Sequence, residues 1–389
     1  MDPAQCRRRP TEAAIDLDAL AHNWALVARR AGGREAIAVV KADAYGHGAP
    51  AVARRLLQAG CRRFAVAVLE ELAALRRAGV DAAVLLLGGV HGAADARAAL
   101  ALGATPVVHG AAHAAWLEEA ARGIGARVPV HVEIDTGMRR MGVPPEEAAA
   151  LLETIAASAA LELAGVSTHF ARADEPDPAP TRAQVEVFAR VLDVARARGV
   201  RPGQVHAANS AALFAAGRWG DWPLCGDVVR PGLALYGVAS APHLADPELR
   251  PVMTLRTAVA ALRRVGPGDA VGYAGSWRAP GSGWIATLPI GYADGVPWSA
   301  GSRGEVLIAG RRRPIAGRVS MDFTSVWLGD SAVALGEEAI VFGAGQGRER
   351  ISVEAAAEAA RTMPYELLVR VAARVPRVAF DAAACASSR

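Results

Sequence analysis

Lys41 is the only lysine in a chain of 389 residues that carries 43 lysines and arginines in total. A primary amine can lose its proton and form an imine with a carbonyl, whereas arginine stays protonated in proteins. The one remaining amine therefore indicates a chemical role, although composition alone leaves a surface lysine open. Its position favours chemistry, because Lys41 follows the apolar run AIAVV and begins the glycine-containing segment KADAYGHG.

Other polar side chains also follow apolar runs, namely Arg140, His169, Asn209, Ser210 and Arg230. The apolar runs lie near residues 36–40, 64–69, 83–87, 105–108, 128–134, 163–168, 204–207 and 232–236. Between them are stretches of helical period rich in Ala, Leu and Arg, several of which end near a glycine. Eight strands alternating with helices predict an α/β fold, a (β/α)8 TIM barrel with its working groups at the carboxyl ends of the strands.

The pattern changes after about residue 245. From there, strand-like segments punctuated by glycine replace the long helical repeats until residues 352–361. We therefore predict that residues 1–245 form an N-terminal segment and the barrel, and that residues 246–389 form a C-terminal β-rich domain.

Composition and charge narrow the function class. The hydrophobic content of 52% can build a large core, and the net charge of +4 comes from dispersed arginines, so we expect no nucleic-acid partner. No apolar segment follows the arginines near the N-terminus and no run could span a bilayer, so we expect a cytoplasmic protein without a membrane partner. The cysteines lack ligand spacing, which favours reduced thiols and no metal site; they are Cys6, Cys61, Cys225 and Cys385.

Ten segments in chain order resemble the alanine racemase family of fold-type III pyridoxal-phosphate enzymes. They are VVKADAYGHGA, HVEIDTGMRRMGV, GVSTHFARADE, HAANSAA, VRPGLALYG, PVMTL, VGYAGSW, PIGYADG, GRVSMD and PYELLVRVAARVPR. Each segment alone is weak evidence, but their shared order over nearly the whole chain carries the resemblance.

The resemblance implies that Lys41 binds pyridoxal 5'-phosphate and then acts as the base on the Cα face used for the D-isomer. Tyr273 matches the family's tyrosine on the opposite face, used for the L-isomer. A phenol needs neighbouring cations to favour its phenolate at neutral pH. A core tyrosine is the alternative for Tyr273, although all five tyrosines of the chain fall inside family-like segments.

The resemblance also assigns residues to the cofactor: Lys41, Tyr45, His169, Asn209, Ser210, Arg230, Gly232, Leu233 and Tyr365. Gly232 and Leu233 would give backbone N–H groups to the phosphate, beyond the last strands, where phosphate commonly binds in this barrel. Arg230 matches the arginine that faces the pyridine nitrogen and donates a hydrogen bond without giving up its proton. A buried core histidine stays open for His169, and a turn residue for Asn209.

Substrate contacts are implied at Arg140 and at the backbone N–H of Met321, which hold the substrate carboxylate, and at Tyr292, which narrows the entrance. Asp322 matches an acidic residue that supports the site, and a simple ion-pair partner of an arginine is the alternative. Glu133 departs from the pattern, because many members have a lysine there that forms a carbamate with carbon dioxide and positions the carboxylate-binding arginine. The glutamate side chain is shorter, so we expect a fixed counter-ion with a deeper Arg140 or a bridging water.

The sequence thus predicts an isomerase, an alanine racemase that interconverts L- and D-alanine by two-base proton transfer and supplies D-alanine for peptidoglycan. In the family, Tyr273, Met321 and Asp322 serve the partner chain's site, which implies a head-to-tail homodimer. A non-catalytic pyridoxal-phosphate carrier would lack Tyr273 and the second domain. A decarboxylase of this fold type would need a cysteine proton donor in the second domain, where the only cysteine is Cys385 in the tail. A racemase of broader specificity stays open, although such enzymes often carry an export signal that this sequence lacks.

Overall fold

The computed structural model of the protein describes residues 9–345 and 349–381, so Cys6 and Cys385 lie outside the described residues. The chain divides into two compact units. The barrel unit comprises Leu20–Ala44 and Ala49–Leu249. The β unit comprises the described residues up to Ala19, the segment Tyr45–Gly48 and the described residues from Arg250 onwards. Residues before Leu20 therefore group with the C-terminal part of the chain.

Nine parallel strand segments form a ring in the barrel unit. In chain order they are Glu35–Ala36, Ala38–Val39, Arg63–Val66, Ala83–Leu86, Ala104–Val108, Val128–Glu133, Leu161–Ser167, Gln204–His206 and Val228–Val229. Only Ile37 separates the first two segments, which lie at opposite ends of the strand order and act as one strand. The N–H of Ile37 donates to Val229 O, and that of Val40 donates to Ala65 O, both at 2.9 Å. The predicted (β/α)8 TIM barrel is confirmed.

Helices alternate with these strands and bury one face each. They are Leu17–Arg30, Ala49–Gln58, Leu69–Arg77, Ala93–Ala101, Ala111–Ile124, Pro145–Ala157, Ala179–Ala197 and Ser210–Trp219, with 3-10 turns at Trp222–Leu224, Leu233–Tyr236 and Pro242–Leu244. In the helix Ala179–Ala197, the buried residues Phe188, Val191, Leu192 and Ala195 recur at the spacing of one helical face. Across the described ranges, every helix is too short or too polar to cross a bilayer.

The eighth predicted strand is wrong. The run at 232–236 forms the 3-10 helix Leu233–Tyr236, which ends at Gly237 with φ of 74°. The eighth strand is instead the two-residue Val228–Val229. A short buried apolar run does not distinguish a strand from a buried helical turn, and Pro231 holds the chain extended just after the true strand.

The β unit consists mainly of strands. They are Glu12–Asp16, Met253–Ala258, Ala261–Val265, Ala270–Val271, Trp277–Arg278, Gly283–Leu288, Glu305–Ile308, Arg311–Pro314, Thr324–Gly329, Glu338–Ala344, Arg350–Ile351 and Arg377–Phe380. Two helices, Val353–Ala359 and Pro364–Val369, and short turns at Tyr273–Gly275, Tyr292–Asp294 and Trp298–Ala300 complete it. Glu12–Asp16 pairs antiparallel with Met253–Ala258 and parallel with Arg377–Phe380, inside a seven-stranded sheet. The β-rich second part of the chain is confirmed.

A chain of polar side chains crosses the barrel interior. The buried guanidinium of Arg230 donates to Nδ1 of His206, and Nε2 of His206 lies 2.7 Å from Nδ1 of His131. Because arginine only donates, His206 must carry its proton on Nε2 and donate it to His131. Burial, with the charges of Arg63 and Arg230, lowers the pKa of His131 to about 3. Burial also holds the pKa of His206 well below its usual value. Both imidazoles are therefore neutral at neutral pH.

Because His131 and His206 are neutral in the folded protein, we predict that the folded state loses stability in acid. In the unfolded chain the side chain of His131 is protonated as the pH falls below about 6.5. In the folded protein it is protonated only near pH 3. The folded state therefore loses stability as the pH falls from about 6.5 to about 3. We expect His131 alone to lower the free energy of unfolding by about 2 kcal/mol between pH 7.5 and pH 5. Urea unfolding at both pH values would measure this loss. His131→Gln should be less stable at pH 7.5 but should show a smaller pH dependence, and an unchanged dependence would contradict the buried neutral state.

Gly165, on the strand that pairs with the one carrying His131, is closely packed. A Cβ built on Gly165 would lie 2.5 Å from Cε1 and Nδ1 of His131 and 2.9 Å from Gln204 O. Neither neighbour can move away easily. Gln204 O belongs to the backbone of the adjacent strand, and the ring of His131 is held by its contact with His206. A side chain at Gly165 would therefore displace the polar chain.

Gly165→Ala should destabilise the protein by about 1–3 kcal/mol, the usual range for overpacking a core. Gly123→Ala is the matched control, because Gly123 lies in the helix Ala111–Ile124 with nothing within 4 Å of a new Cβ. That control should stabilise the protein by up to about 1 kcal/mol, since alanine favours the helix. Chemical unfolding of both variants checks the pair, and equal stabilities would rule out the close contact at Gly165.

Candidate active site

Lys41 lies just beyond the first barrel strand and begins an unusual turn. Residues Ala42 to Tyr45 all have φ between 51° and 55°, so the chain makes one left-handed turn without glycine. Such a conformation costs roughly 1–2 kcal/mol per residue and persists only where neighbouring groups hold it. The N–H of Ala42 donates to the carboxylate of Glu71 at 2.5 Å, and Asp43 accepts the N–H of Ala49 at 2.7 Å.

The surroundings of Lys41 favour its neutral amine. Burial is the largest effect that lowers the pKa of Lys41, and the guanidinium groups of Arg140 and Arg230 lower it further. The carboxylates of Glu71 and Glu133 oppose this effect and raise the pKa, but the net shift is downward. A lowered pKa puts more of the amine, at neutral pH, in the neutral form that can attack a carbonyl or accept a proton.

The other predicted residues of the barrel unit also lie at the carboxyl ends of strands. Glu133 is the last residue of its strand, Arg140 lies in the loop that follows, and His169 follows Leu161–Ser167. Burial raises the pKa of Glu133, against the lowering effect of Arg230 and Arg140. Burial also lowers the pKa of His169 to about 3, with Arg230, Arg140 and Lys41 adding to it, so its ring is neutral at neutral pH. The charges of Lys41, Arg140 and Arg230 act on both Glu133 and His169, so these five residues form one cluster.

No hydrogen bond or ion pair joins Glu133 to Arg140 within the described residues. Their interaction is electrostatic only. The guanidinium of Arg140 is exposed, which leaves its donors accessible to an anionic ligand.

Arg230 is held rigidly at the centre of this cluster. Its guanidinium donates to Thr168 O at 2.8 Å and to Ala207 O at 3.2 Å, in addition to its contact with His206. One of its nitrogens also lies 3.4 Å from Nδ1 of His169. The carbonyl acceptors orient the guanidinium without neutralising it, so it remains a fixed cationic donor.

Two helix N-termini meet at Ser210. Asn209 caps the helix Ser210–Trp219, with its side chain accepting the N–H of Ala212 at 3.0 Å. The buried Ser210 hydroxyl accepts the N–H of Gly232 at 2.9 Å and that of Ala234 at 3.2 Å, where the 3-10 helix Leu233–Tyr236 begins. The first N–H groups of a helix lack acceptors inside it and attract anions. This arrangement suits a phosphate.

In the β unit, the structure brings Tyr45 and Tyr365 together. Their ring centroids are 6.1 Å apart, at an interplanar angle of 42°. Arg377 donates to Gly46 O at 2.9 Å, and a Cβ on Gly46 would lie 2.4 Å from Leu368 O. The segment that follows Lys41 is therefore anchored by close backbone packing, and both predicted tyrosines are fixed beside each other.

The predicted substrate residues of the β unit form a second group. The N–H of Tyr292 donates to Ser320 O and that of Ala293 donates to Met321 O, both at 3.0 Å. Gly291 permits this approach, because a Cβ there would lie 2.4 Å from Met321 O. The two backbone segments therefore form one fixed surface that carries Tyr292 and Met321.

A buried carboxylate supports this surface. Asp294 accepts hydrogen bonds from Arg9, from Arg374 at 2.7 Å and from the N–H of Gly291 at 2.9 Å. Burial raises the pKa of Asp294, but the two arginines outweigh it and lower the pKa overall. Arg374 also donates to Asp322 at 2.8 Å, which ties this predicted supporting acid to the same group.

Tyr273 is not a core residue of its own chain. Its side chain is 68% exposed, and it lies in a turn where the next residue, Ala274, has φ of 59°. Met321, at 53%, is another exposed large apolar side chain of the β unit.

Three residues that the sequence analysis missed support the site. Glu71 binds the turn after Lys41, and Asp294 binds the Tyr292 turn. Gln184 donates to His169 O and to Thr136, each at 3.1 Å. Glu71 had a detectable signal, because an acid at the third position of a helix is typical of a capping box. The other two had none.

Comparisons with known proteins identify the family of the chain. The family model described as alanine racemase, N-terminal domain, matches residues 15–240, and that described as alanine racemase, C-terminal domain, matches residues 252–379. Alanine racemase of Geobacter sulfurreducens is 41% identical over 376 residues, which are 95% of this chain and 97% of the relative. Alanine racemase of Mycobacterium ulcerans is 42% identical over 372 residues, which are 94% of each chain.

Solved structures give the same result. The structure of alanine racemase from Streptomyces lavendulae has a TM-score of 0.90 at 36% identity and covers 96% of this chain and 97% of that chain. The structure of the Bacillus anthracis enzyme with bound L-Ala-P has a TM-score of 0.86 at 35% identity and covers 96% of each chain. The resemblance found in the sequence and the predicted enzyme class are confirmed: the chain belongs to the alanine racemase family and is an isomerase that racemises alanine.

Proposed function

We propose that the protein interconverts L- and D-alanine by two-base proton transfer at Cα, with pyridoxal phosphate bound to Lys41. The observation that carries this proposal is the position of the chain's only lysine, at a barrel strand end where burial and Arg140 lower its pKa. A neutral amine is the form that can bind an aldehyde and accept a proton. The D-alanine formed would serve peptidoglycan synthesis.

The residues of the barrel unit fit pyridoxal phosphate. Lys41 offers an amine for its aldehyde, and Arg230 offers a fixed donor for a ring nitrogen. The N–H of Leu233, at the start of the 3-10 helix beside Ser210, would donate to a phosphate without a second lysine, whereas the N–H of Gly232 donates to Ser210 in this structure. When bound, this cofactor supplies a conjugated ring that acidifies the Cα–H bond of an amino acid.

Arg230 would limit the reaction to proton exchange. A guanidinium with a buried, hydrogen-bonded environment donates but does not release its proton. The ring nitrogen would therefore remain unprotonated and withdraw electrons less strongly than a protonated one. Rapid return of the proton to Cα is expected under these conditions, which disfavours side reactions. Neutral His169 would lie against the ring without adding charge.

Lys41 and Tyr273 would carry the two protons. In this proposal, Nζ of Lys41 takes or returns a proton on the face used for the D-isomer, and the phenolic oxygen of Tyr273 does so on the opposite face. Arg140 would hold the substrate carboxylate, so that the Cα–H bond is aligned for transfer. The Bacillus anthracis structure with bound L-Ala-P supports alanine as the substrate.

A homodimer is part of the proposal. The high exposure of Tyr273 and Met321 supports their use in the site of a second chain, together with Tyr292 and Asp322. The bond from Arg374 to Asp322 and the contacts of Asp294 would keep these residues in a single arrangement for that purpose. Tyr292, at 43% exposed, would then narrow the entrance and favour a small side chain.

Lys41→Arg tests the reaction and the role of the lysine. L-alanine incubated in deuterated water with the wild-type protein should become racemic and deuterated at Cα. Lys41→Arg should lose the pyridoxal absorbance and reduce turnover by at least about 10³-fold, because arginine cannot act as this nucleophile and base. Chiral chromatography with mass spectrometry measures both. Normal turnover in the variant would contradict the proposal.

Subunit mixing tests the shared site. Lys41→Ala and Tyr273→Ala should each be inactive, but random exchange of equal amounts should recover roughly a quarter of wild-type activity, since half of the dimers have one intact site of two. The control mixes Lys41→Ala with the double variant Lys41→Ala/Tyr273→Ala and should recover nothing. Proven exchange without recovery would show that Tyr273 serves its own chain.

A further inference from the structure

Glu71 makes a contact that its place in the helix does not explain. It lies in the first turn of the helix Leu69–Arg77, and one carboxylate oxygen accepts the N–H of Ala67 at 2.7 Å and that of Val68 at 3.3 Å. These two bonds cap its own helix. The other oxygen accepts the N–H of Ala42 at 2.5 Å. Ala42 is 29 positions away and immediately follows Lys41.

The residue that Glu71 holds is the first of the left-handed turn. Ala42 has φ of 51°, and its neighbours Asp43 and Ala44 have φ of 53° and 55°. The other recorded bonds of this turn within the barrel unit are local: Ala44 N–H to Val40 O at 2.9 Å, and Asp43 to the N–H of Ala49. Glu71 connects this turn to the residues that follow the strand Arg63–Val66, through its bonds to Ala42, Ala67 and Val68. A conformation with this cost needs such an external tie.

The carboxylate also lies close enough to act on the amine. Four charged groups alter the pKa of Lys41: Arg140 and Arg230 lower it, and Glu71 and Glu133 raise it, with Glu71 the stronger of the two acids. Glu71 therefore combines a geometric tie to the backbone after Lys41 with an electrostatic effect on its side chain. A residue that only caps a helix would have neither property.

We propose that Glu71 is a positioning residue for Lys41, which fixes the left-handed turn through the Ala42 N–H and sets the direction of the amine. The proposal rests on the proposed function, in which Lys41 is the reactive amine. Removing the tie lets the turn relax, so that the amine occupies its working position for a smaller fraction of the time. In the proposed function Arg140, and not Glu71, binds the substrate carboxylate. The affinity for substrate should therefore change little when Glu71 is replaced.

Glu71→Gln is the main variant, because it keeps the size of the side chain and removes the charge. Its amide group would also place a donor against a backbone donor, either Ala67 N–H or Ala42 N–H. Glu70→Gln is the matched control. Glu70 is exposed, lies in the same helical turn and has no recorded bond to Ala42, so both variants lose the same helix-terminal charge.

The single lysine allows a direct measurement. Reductive methylation with a carbon-13 label, on the full chain freed of cofactor, marks only Lys41 and the terminal amine. Titration by nuclear magnetic resonance should show a lower pKa for Lys41 in Glu71→Gln than in the wild type, and no change in Glu70→Gln. In the cofactor-loaded enzyme, kcat of Glu71→Gln should fall by about tenfold or more while KM changes by less than about twofold.

If Glu71→Gln does not fold, Ala42→Gly in the same background is the second variant, because glycine adopts a left-handed conformation without strain. This double variant should fold and still show the lowered pKa of Lys41. An unchanged pKa and kcat in whichever variant folds would overturn the proposal. Absence of pyridoxal absorbance and racemisation in the wild type would instead overturn the proposed function, so the two failures are distinguishable.

Discussion

Burial of the Lys41 amine, reinforced by repulsion from nearby positive charges, determines the chemistry at this end of the barrel. Burial is the largest effect on the Lys41 amine, and the charges of Arg140 and of the buried Arg230 add to it. A guanidinium does not release its proton in a protein, so the cost of this crowding falls on Lys41. Glu71 and Glu133 moderate the effect without cancelling it. The result is one amine whose proton is easily lost, beside two cations that are permanent. The lowered pKa of Lys41 therefore depends on its position in the fold and is not a general property of a lysine side chain.

The barrel orients the buried Arg230 through backbone carbonyls and neutral rings, without an ion pair to a carboxylate among the described residues. Thr168 O and Ala207 O accept from Arg230, and the neutral rings of His206 and His131 continue the line of hydrogen bonds through the interior. The charge of Glu133 acts on Arg230 without a hydrogen bond between them. In the β unit the buried charged group is a carboxylate instead of a guanidinium. There, the buried carboxylate of Asp294 is held by two arginines, and it organises the turn that carries Tyr292.

The sequence predicted the barrel and the strand-end residues because both leave local signals. Lys41, His169 and Arg230 each follow an apolar run, and parallel strands bring such positions together. The eighth strand failed because Val228–Val229 has only two residues. Glu71 has a local signal as the capping-box acid of its helix, but its bond to Ala42, 29 positions away, leaves no pattern in the sequence. Asp294 was missed because its arginine partner Arg374 lies 80 positions away. The roles of Tyr273 and Met321 came only from the resemblance, and they stay proposals.

Glu133 shows how an encoded carboxylate differs from the modified lysine of many relatives. A carbamate on a long side chain can reach the carboxylate-binding arginine, whereas Glu133 makes no bond to Arg140 within the described residues and acts on it only through charge. Burial raises the pKa of Glu133, and the charge of Arg230 lowers it more than that of Arg140 does. The charge of Glu133 therefore acts on Arg230 at least as strongly as on Arg140. Arg140 remains exposed, so its orientation would be set by the substrate carboxylate itself rather than by a preformed partner.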